Sequence, residues 1–416
     1  MKVGFVVRFI RRQVKEIKLG GTNVLVSKFI IFTQLCLRFL LGGITVLFCY
    51  AIKPLLTVRF GRIYTSRIGH LCYNMDNYLA DRLSRESKEF AVFKADKHIS
   101  NQTIYLLWGN NKNILFANFA DFPLWFLETI LSSSALLISW QNELHPKFPL
   151  ASLMPSNINI DDLDEQKYRK ILEVNKIAYP FICLHNRDSA YINYYGSDGN
   201  AHDFRDFDFH DFQIGINRIT EFGVTVVRIG EIIKTPYVTN NRSFVSITGT
   251  KRSDFSDIVL VSKCLFFVGC NSGFSTVSRI FRKPTLLINY IPFQINELSA
   301  WAKNSIILPK KLYKNSECRY LRFSEMAELP YDIHYKGDFF SDMGLQVENN
   351  APEEIADALM EMWMRTTGAW SDSEMQHQLQ DKFWASIDHI MYSSDLRGKF
   401  GIRISSTFLE KNHFLL

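Results

Sequence analysis

From residue 181 onward, short apolar runs alternate with stretches of helical spacing, and this alternation narrows the fold more than any other feature of the chain. Phe181-Ile182-Cys183-Leu184 reads as a buried strand that ends at His185-Asn186-Arg187-Asp188. Phe212, Ile216 and Ile219 recur at helical spacing, and Gly223 stands where a helix C-cap belongs. Val224 to Ile229 is strand-like, Asp254 to Lys263 helical, Leu265 to Val268 strand-like, Phe274 to Phe281 helical and Thr285 to Ile288 strand-like. Strands separated by helices in this rhythm predict a parallel, doubly wound α/β sheet. Such sheets bind ligands outside the carboxyl ends of their strands, and the polar clusters of this chain fall at those ends.

The first half carries the same pattern less clearly. Leu56 to Tyr64 is a strand, followed by the turn Ser66-Arg67-Ile68-Gly69-His70 and a helix from Leu71 to Arg82. Thr103 to Trp108 and Asn113 to Asn118 read as strands, Leu124 to Leu131 as a helix and Ala135 to Trp140 as a further strand. Residues 146–164 form a linker broken by Pro149 and Pro155, with an acidic pair at Asp161-Asp162, before a helix at Gln166 to Val174. Two helices, Pro352 to Arg365 and Ser371 to Ile387, close the chain. The basic, aromatic tail after them is expected to pack back on the N-terminal half.

A chain of 416 residues needs more than one core. The net charge of +6 is too small for a nucleic-acid surface, and no basic stripe with interleaved aromatics appears. Seven scattered cysteines without a CxxC pair read as reduced thiols in a cytosolic setting.

The N-terminus is the exception to this soluble profile. Lys2, Arg8, Arg11, Arg12, Lys15 and Lys18 precede a mostly apolar stretch from Phe29 to Ile52. Its charge-free part, Phe39 to Ile52, has 14 residues, short of the roughly 20 that span a bilayer. A longer span would carry Arg38 near the bilayer centre, at a cost of about 2.5–3.5 kcal/mol. The favoured reading is a helix or helical pair in the membrane interface, its basic residues on anionic lipid. A single span and a helix packed on the protein are the alternatives. Removing residues 1–54 is expected to leave a soluble chain.

Four polar clusters are candidate sites. Arg187, after a buried strand, can hold a diphosphate and neutralise the charge of a leaving group, with His185 on the same phosphates or orienting the sugar; a loop salt bridge to Asp188 or Asp206 is the alternative. Asn271-Ser272-Gly273-Phe274-Ser275-Thr276 opens a helix directly after a strand, where free N–H groups and hydroxyls receive anions; simple capping by Asn271 or Ser272 is the alternative. In the first turn, Gly69 permits close backbone approach, and His70, or Asp76 on the following helix, can act as general base; a turn glycine and a capping histidine are the plain reading. The acids from Asp203 to Asp211 can carry Mg²⁺, yet Asp208 and Asp211 stand where helix N-terminal acids belong, so no metal is expected. Arg228 and Asp257, near a strand end and a helix start, are weaker candidates for base or ribose contacts. No Walker motif, strand-linked GxGxxG or GxSxG appears.

Several segments resemble a family of bacterial glycosyltransferases encoded with surface-polysaccharide genes: RIGHLCYNMDNYLADR at 67–82, PFICLHNRDSAY at 180–191, HDFRDFDFHDF at 202–212, GVTVVRIG at 223–230 and the long stretch at 252–293. A fainter likeness is to fucosyltransferases that use GDP-fucose, in which a strand precedes His-x-Arg and a later strand precedes a Ser-rich turn. His185, Arg187 and Asn271 to Ser275 match that arrangement, while Asp188 stands where those enzymes carry a second arginine.

The resemblance implies a GT-B architecture of two Rossmann-like domains with an N-terminal apolar membrane-associating helical segment. The expected layout is a membrane-associating segment at 1–56, an acceptor-side domain at 57–155, a donor-binding domain at 160–330 and, at 331–416, helices bridging back. It implies a glycosyltransferase on the cytoplasmic face of the membrane that moves a sugar from a nucleotide-sugar co-substrate to a lipid-linked or membrane-proximal glycan, with no cofactor and no metal. The assigned catalytic residues are Arg187, His70 and Asp76. The assigned donor contacts are His185, Arg228, Asp257, Asn271, Ser272, Gly273, Ser275 and Thr276. A non-catalytic polysaccharide-assembly protein and a sugar phosphotransferase are the rival readings.

Overall fold

The computed structural model describes residues 2–416 except 147–150, 160, 162, 195–201, 294–297, 299–300, 302, 331–337 and 391–392. Pro149, Asp162 and the basic side chains before residue 20 lie outside the described residues. The chain forms two compact units, one of residues 1–63, 88–95 and 111–139, the other of residues 64–87, 96–110 and 140–416.

In the first unit, α1 (Lys2–Ile52) is broken at Gly21, whose φ of 60° and ψ of −153° leave helical geometry. A helical pair is therefore what the sequence encodes here, and its second member, Gly21–Ile52, is long and apolar enough to cross a membrane. Strands β1 (Thr57–Ile63), β2 (Glu89–Ala95) and β3 (Ile114–Phe116) pair in that order, all parallel. The end of α1 packs on α4 (Asp121–Ile130): Val46 and Cys49 are buried with Leu124 and Leu127, and Phe39 meets Phe126 at 5.5 Å. Arg38 pairs with Asp121 at 3.2 Å, so the charge that made a span costly has a carboxylate beside it. The expected strand at Ala135 to Trp140 shrinks to one bridge, Leu137 to Phe60, and the Arg59 guanidinium takes the carbonyls of Ala135 (3.0 Å) and Leu137 (2.9 Å).

In the second unit, α2 (Ile68–Ser84) and α3 (Gln102–Gly109) precede a seven-stranded sheet. The strand expected at Thr103 to Trp108 is helix α3. Asn101 caps it through Ile104 N–H at 3.0 Å, and Ile104 and Trp108, four apart, are its buried pair. Helical spacing thus outweighs the β-propensity of Thr-Ile-Tyr. Helix α5 (Glu165–Asn175), capped by Asp164, leads into β4 (Phe181–Leu184), the short α6 (Ala190–Tyr194), α7 (Gln213–Thr220), β5 (Thr225–Gly230) and β6 (Phe244–Thr248). The Ser253–Ser256 capping box starts α8 (Asp254–Lys263), and β7 (Phe267–Gly269), α9 (Thr276–Ile280), β8 (Thr285–Tyr290) and β9 (Ile306–Pro309) follow.

A small antiparallel sheet of β10 (Lys311–Lys314), β11 (Arg319–Tyr320) and β12 (Leu345–Glu348) comes next. The helix Pro352–Thr367 packs on α7, where a Cβ at Gly215 would lie 2.9 Å from Leu359. The closing tail, expected on the N-terminal half, supplies β13 (Arg403–Ile404) to the outer edge of the large sheet and buries Phe408 and Leu409 in its core.

The sheet order is β13-β9-β8-β7-β4-β5-β6, every pair parallel. From β4 the winding runs outward through β5 and β6, then resumes at β7 and runs the other way. The strand order reverses between β4 and β7, the kind of position outside which open α/β sheets bind ligands.

Candidate functional site

The loops that leave β4 and β7 carry the two polar clusters singled out in the sequence, so both flank this switch point. His185 N–H donates to Val268 O at 2.9 Å, which ties the first loop to β7. Its ring lies 4.8 Å from Phe274, and Nδ1 donates to Ile229 O at 3.1 Å. Burial pushes its pKa down to about 4. A neutral ring with Nδ1 protonated offers an acceptor nitrogen, not a positive charge, to anything beside it.

Arg187 is half-buried. Nη1 donates to His202 O at 3.0 Å and pairs with the Asp206 carboxylate. The loop salt bridge weighed from sequence is therefore present. Its basicity is lowered, first by burial and then by neighbouring Arg205. Lys310, directly after β9, was not singled out from the sequence. It is 2% exposed, donates to Phe204 O (2.7 Å) and Asp206 O (3.1 Å), and has no carboxylate partner among the described residues. Burial lowers its pKa to about 8. The run Ser-Ile-Ile-Leu-Pro-Lys-Lys, β-branched and ended by proline, was the signal for a strand with a cation at its carboxyl end. Arg187 and Lys310 thus converge on the segment 202–206.

The turn after β7 is more self-contained than expected. Helix α9 begins at Thr276, not Phe274, and has five residues. Ser275 Oγ donates to Cys270 O (2.7 Å), Thr276 Oγ1 donates to Gly273 O (2.6 Å), and Ser272 Oγ accepts from Ser275 N–H (3.4 Å). Asn271 Nδ2 reaches Ile291 O at 3.5 Å. The Ser275 and Thr276 hydroxyls therefore shape the turn, and α9 itself has Ser275 at its N-cap with no side-chain cap bond. A Cβ at Gly69 would lie 2.8 Å from Gly273 Cα, so the start of α2 and this turn touch through two glycines.

His70 follows that contact. Its Nδ1 is 3.2 Å from Asn74 Oδ1, and burial pushes its pKa down to about 4. Asp76, the other candidate base, is fully buried. Arg282 grips both its oxygens at 2.9 Å, and Asn157 Nδ2 donates to it at 3.1 Å. Both its oxygens are thus engaged within the fold. Asp257 is engaged in the same way: it is 2% exposed, bonded by Arg252 Nε at 2.8 Å, and burial raises its carboxyl to about 7. Arg228 is buried, with its guanidinium 3.9 Å from the Phe209 ring centre and bonds to Thr235 O (3.1 Å) and Asn186 Oδ1 (3.3 Å). Burial lowers its pKa to about 10. It backs a cavity of about 250 Å³ that Asp188, Asp208 and Lys234 also line.

Within the acidic stretch, Asp208 accepts from His210 N–H (3.0 Å), the cap expected of it, and Asp206 serves Arg187. No group of three or more metal-ligating side chains occurs among the described residues.

No protein family and no curated protein matches the sequence. Solved structures to which the chain is similar include three bacterial glycosyltransferases. The dodecameric iron-containing heptosyltransferase TibC of enterotoxigenic E. coli, in complex with ADP-D-β-D-heptose, is 12% identical over 75% of this chain and 76% of its own, with a TM-score of 0.38. The E. coli ADP-heptose lipopolysaccharide heptosyltransferase II is 10% identical over 74% and 99%, with a TM-score of 0.43. A family 9 glycosyltransferase from Veillonella parvula is 9% identical over 74% and 97%, with a TM-score of 0.46. None of these three is a fucosyltransferase, and the likeness is to their α/β fold with parallel sheets.

Proposed function

We propose that the chain is a metal-independent glycosyltransferase of the GT-B kind. It transfers a sugar from a nucleotide-sugar donor to a lipid-linked or membrane-proximal surface glycan at the cytoplasmic face of the membrane. One observation carries the reading: Arg187, with Lys310 near it, lies at the carboxyl ends of the strands beside the β4–β7 switch point, where a doubly wound sheet takes its ligand. A diphosphate entering there meets a planar guanidinium whose present partner, Asp206, is itself an oxyanion. Exchange of one oxyanion for another needs no new pocket. As the sugar–phosphate bond breaks, charge grows on the departing diphosphate, and preorganised cations stabilise it.

In this reading residues 160–330 bind the donor, with Arg187, His185 and the 271–276 turn on the diphosphate side and the cavity behind Arg228 open to base or ribose. Residues 57–155 serve the acceptor, with His70 as base. The apolar outer face of α1 lies on lipid.

Titration calorimetry of the full-length chain against UDP-, GDP- and ADP-linked sugars, ADP-heptose among them, tests the proposal. The expected result is binding of one class and release of free nucleoside diphosphate when acceptor is added. Binding without release would favour the assembly-protein reading. Phosphate transfer to a sugar would favour the phosphotransferase.

A further inference from the structure

Around the start of α2, five rings gather that the proposed donor contacts do not use. Tyr64 and Trp140 meet edge to face at 5.0 Å, Trp140 lies 5.6 Å from His70 and stacks on His145 at 6.0 Å, and Tyr73 lies 5.1 Å from His145. A core cluster of this size would be dry. Here Tyr64 is 43% exposed, and the other four are half-buried. Half-covered aromatic faces beside polar edges suit a ligand that is apolar on one face and rich in hydroxyls at its rim, as a pyranose is.

The polar member of the cluster is aimed by its neighbours. Asn74 is fully buried, and its Nδ2 donates to Leu144 O at 2.7 Å. That bond turns Oδ1 toward His70 Nδ1 at 3.2 Å, so Nδ1 carries the proton and Nε2 the lone pair. Among the described residues Nε2 makes no hydrogen bond. The Gly69–Gly273 contact sets this imidazole next to the turn that follows β7.

We propose that Trp140 and Tyr64 form the acceptor subsite, stacking a pyranose ring of the glycan so that one of its hydroxyls faces His70 Nε2. The proposal rests on the glycosyltransferase reading above. In the transfer, the hydroxyl oxygen bonds to the donor's anomeric carbon and its proton passes to Nε2. The anomeric carbon–oxygen bond to the diphosphate breaks, and its electron pair leaves on the phosphate oxygen. Asn74 is a positioning residue that keeps the lone pair on the reacting side.

Saturation-transfer NMR on the detergent-solubilised full chain, with the methyl α-pyranosides of glucose, galactose, mannose and L-glycero-D-manno-heptose at millimolar concentration, tests the subsite. At least one glycoside should receive saturation from the parent protein. Trp140→Ala and Tyr64→Ala should each weaken that binding about five- to tenfold, the effect of losing one stacked ring, and Trp140→Phe should restore most of it. Sugar-nucleotide binding by calorimetry should be unchanged in all three. Because Tyr64 is exposed, its variant keeps the test valid if Trp140→Ala misfolds. No saturation of any glycoside, or parental binding in Tyr64→Ala, overturns the subsite. Loss of nucleotide binding in the ring variants overturns it too, since the rings would then hold the donor base. If the parent binds glycosides but no sugar nucleotide, the transferase reading fails while the carbohydrate contact stands.

Discussion

Asp76 and Arg282 form a bidentate ion pair, each terminal guanidinium nitrogen 2.9 Å from a different carboxylate oxygen, with buried Arg279 3.9 Å away. The pair ties the middle of α2 to the residues after α9. Removing one charge from such a buried pair typically costs about 3–5 kcal/mol. Asp76→Asn should therefore lower the melting temperature clearly, while turnover per folded molecule stays near the parent's. A stable Asp76→Asn protein without turnover would restore Asp76 as a base.

Arg187→Ala should reduce turnover on the order of 10²–10³-fold, the usual loss for one preorganised contact to developing charge. It also strands Asp206, so a stability cost of about 1–3 kcal/mol accompanies it. Lys at 187 should rescue partly, because a point charge cannot replace a planar fork. Asp206→Asn supplies the contrast: it weakens the loop but leaves the guanidinium for the donor. Melting curves and turnover of the three variants decide the matter. Parental turnover in folded Arg187→Ala would remove the diphosphate from this loop.

Stability should fall on acidification between about pH 6.5 and pH 4. Burial lowers His70, His185 and His202 to about 4, whereas the unfolded chain titrates them near 6.5. In that window the unfolded state binds more protons, so stability rises with pH. Asp257, raised to about 7, and Asp211, also raised by burial, act in the opposite sense but are outnumbered by the buried imidazoles, His145 among them. Thermal unfolding from pH 4.5 to 7 should show the slope, and His185→Gln should flatten it. A melting temperature that rises toward pH 4.5 would contradict the burial of these imidazoles.

Helix α1 both docks on α4 and turns an apolar face outward. A Cβ at Gly42 would lie 2.5 Å from Phe122 O and 2.9 Å from Phe126 Cβ, so Gly42→Leu should loosen α1 from α4 and speed proteolysis between them. Phe29, Phe32, Ile44, Leu47 and Phe48 are exposed on α1, and this apolar face should keep the variant on anionic vesicles. Deleting residues 1–37 should weaken flotation and leave Val46 and Cys49 in their cluster. Deleting 1–54 removes both and uncovers Leu124 and Leu127, so an aggregating chain is expected in place of the soluble one. Undiminished flotation of the shorter deletion would put the lipid contact elsewhere.

Turnover should survive EDTA, because Arg187 and Lys310 supply positive charge where a metal otherwise would. Loss of activity on chelation, restored by Mg²⁺ or Mn²⁺, would assign the acidic 203–211 stretch to a cation.

Periodicity alone determined the α/β alternation from Phe181 to Tyr290, since a buried parallel strand must be apolar throughout and its covering helix must repeat every three to four residues. The positions of His185, Arg187 and the 271–276 turn at strand ends were legible for the same reason. What periodicity cannot encode is which strand lies beside which. The β4–β7 reversal, the arrival of Lys310 from more than a hundred residues away and the joining of β13 to β9 are consequences of sheet order, and exist only in three dimensions. Partnership is equally silent in sequence. Asp76 and Asp257 look like any acids near a site until the fold sets Arg282 and Arg252 against them, and burial then turns candidate chemistry into structure. Asn74 became informative only when the Leu144 carbonyl fixed its amide, because a hydrogen bond across 70 residues of chain leaves no mark on local composition.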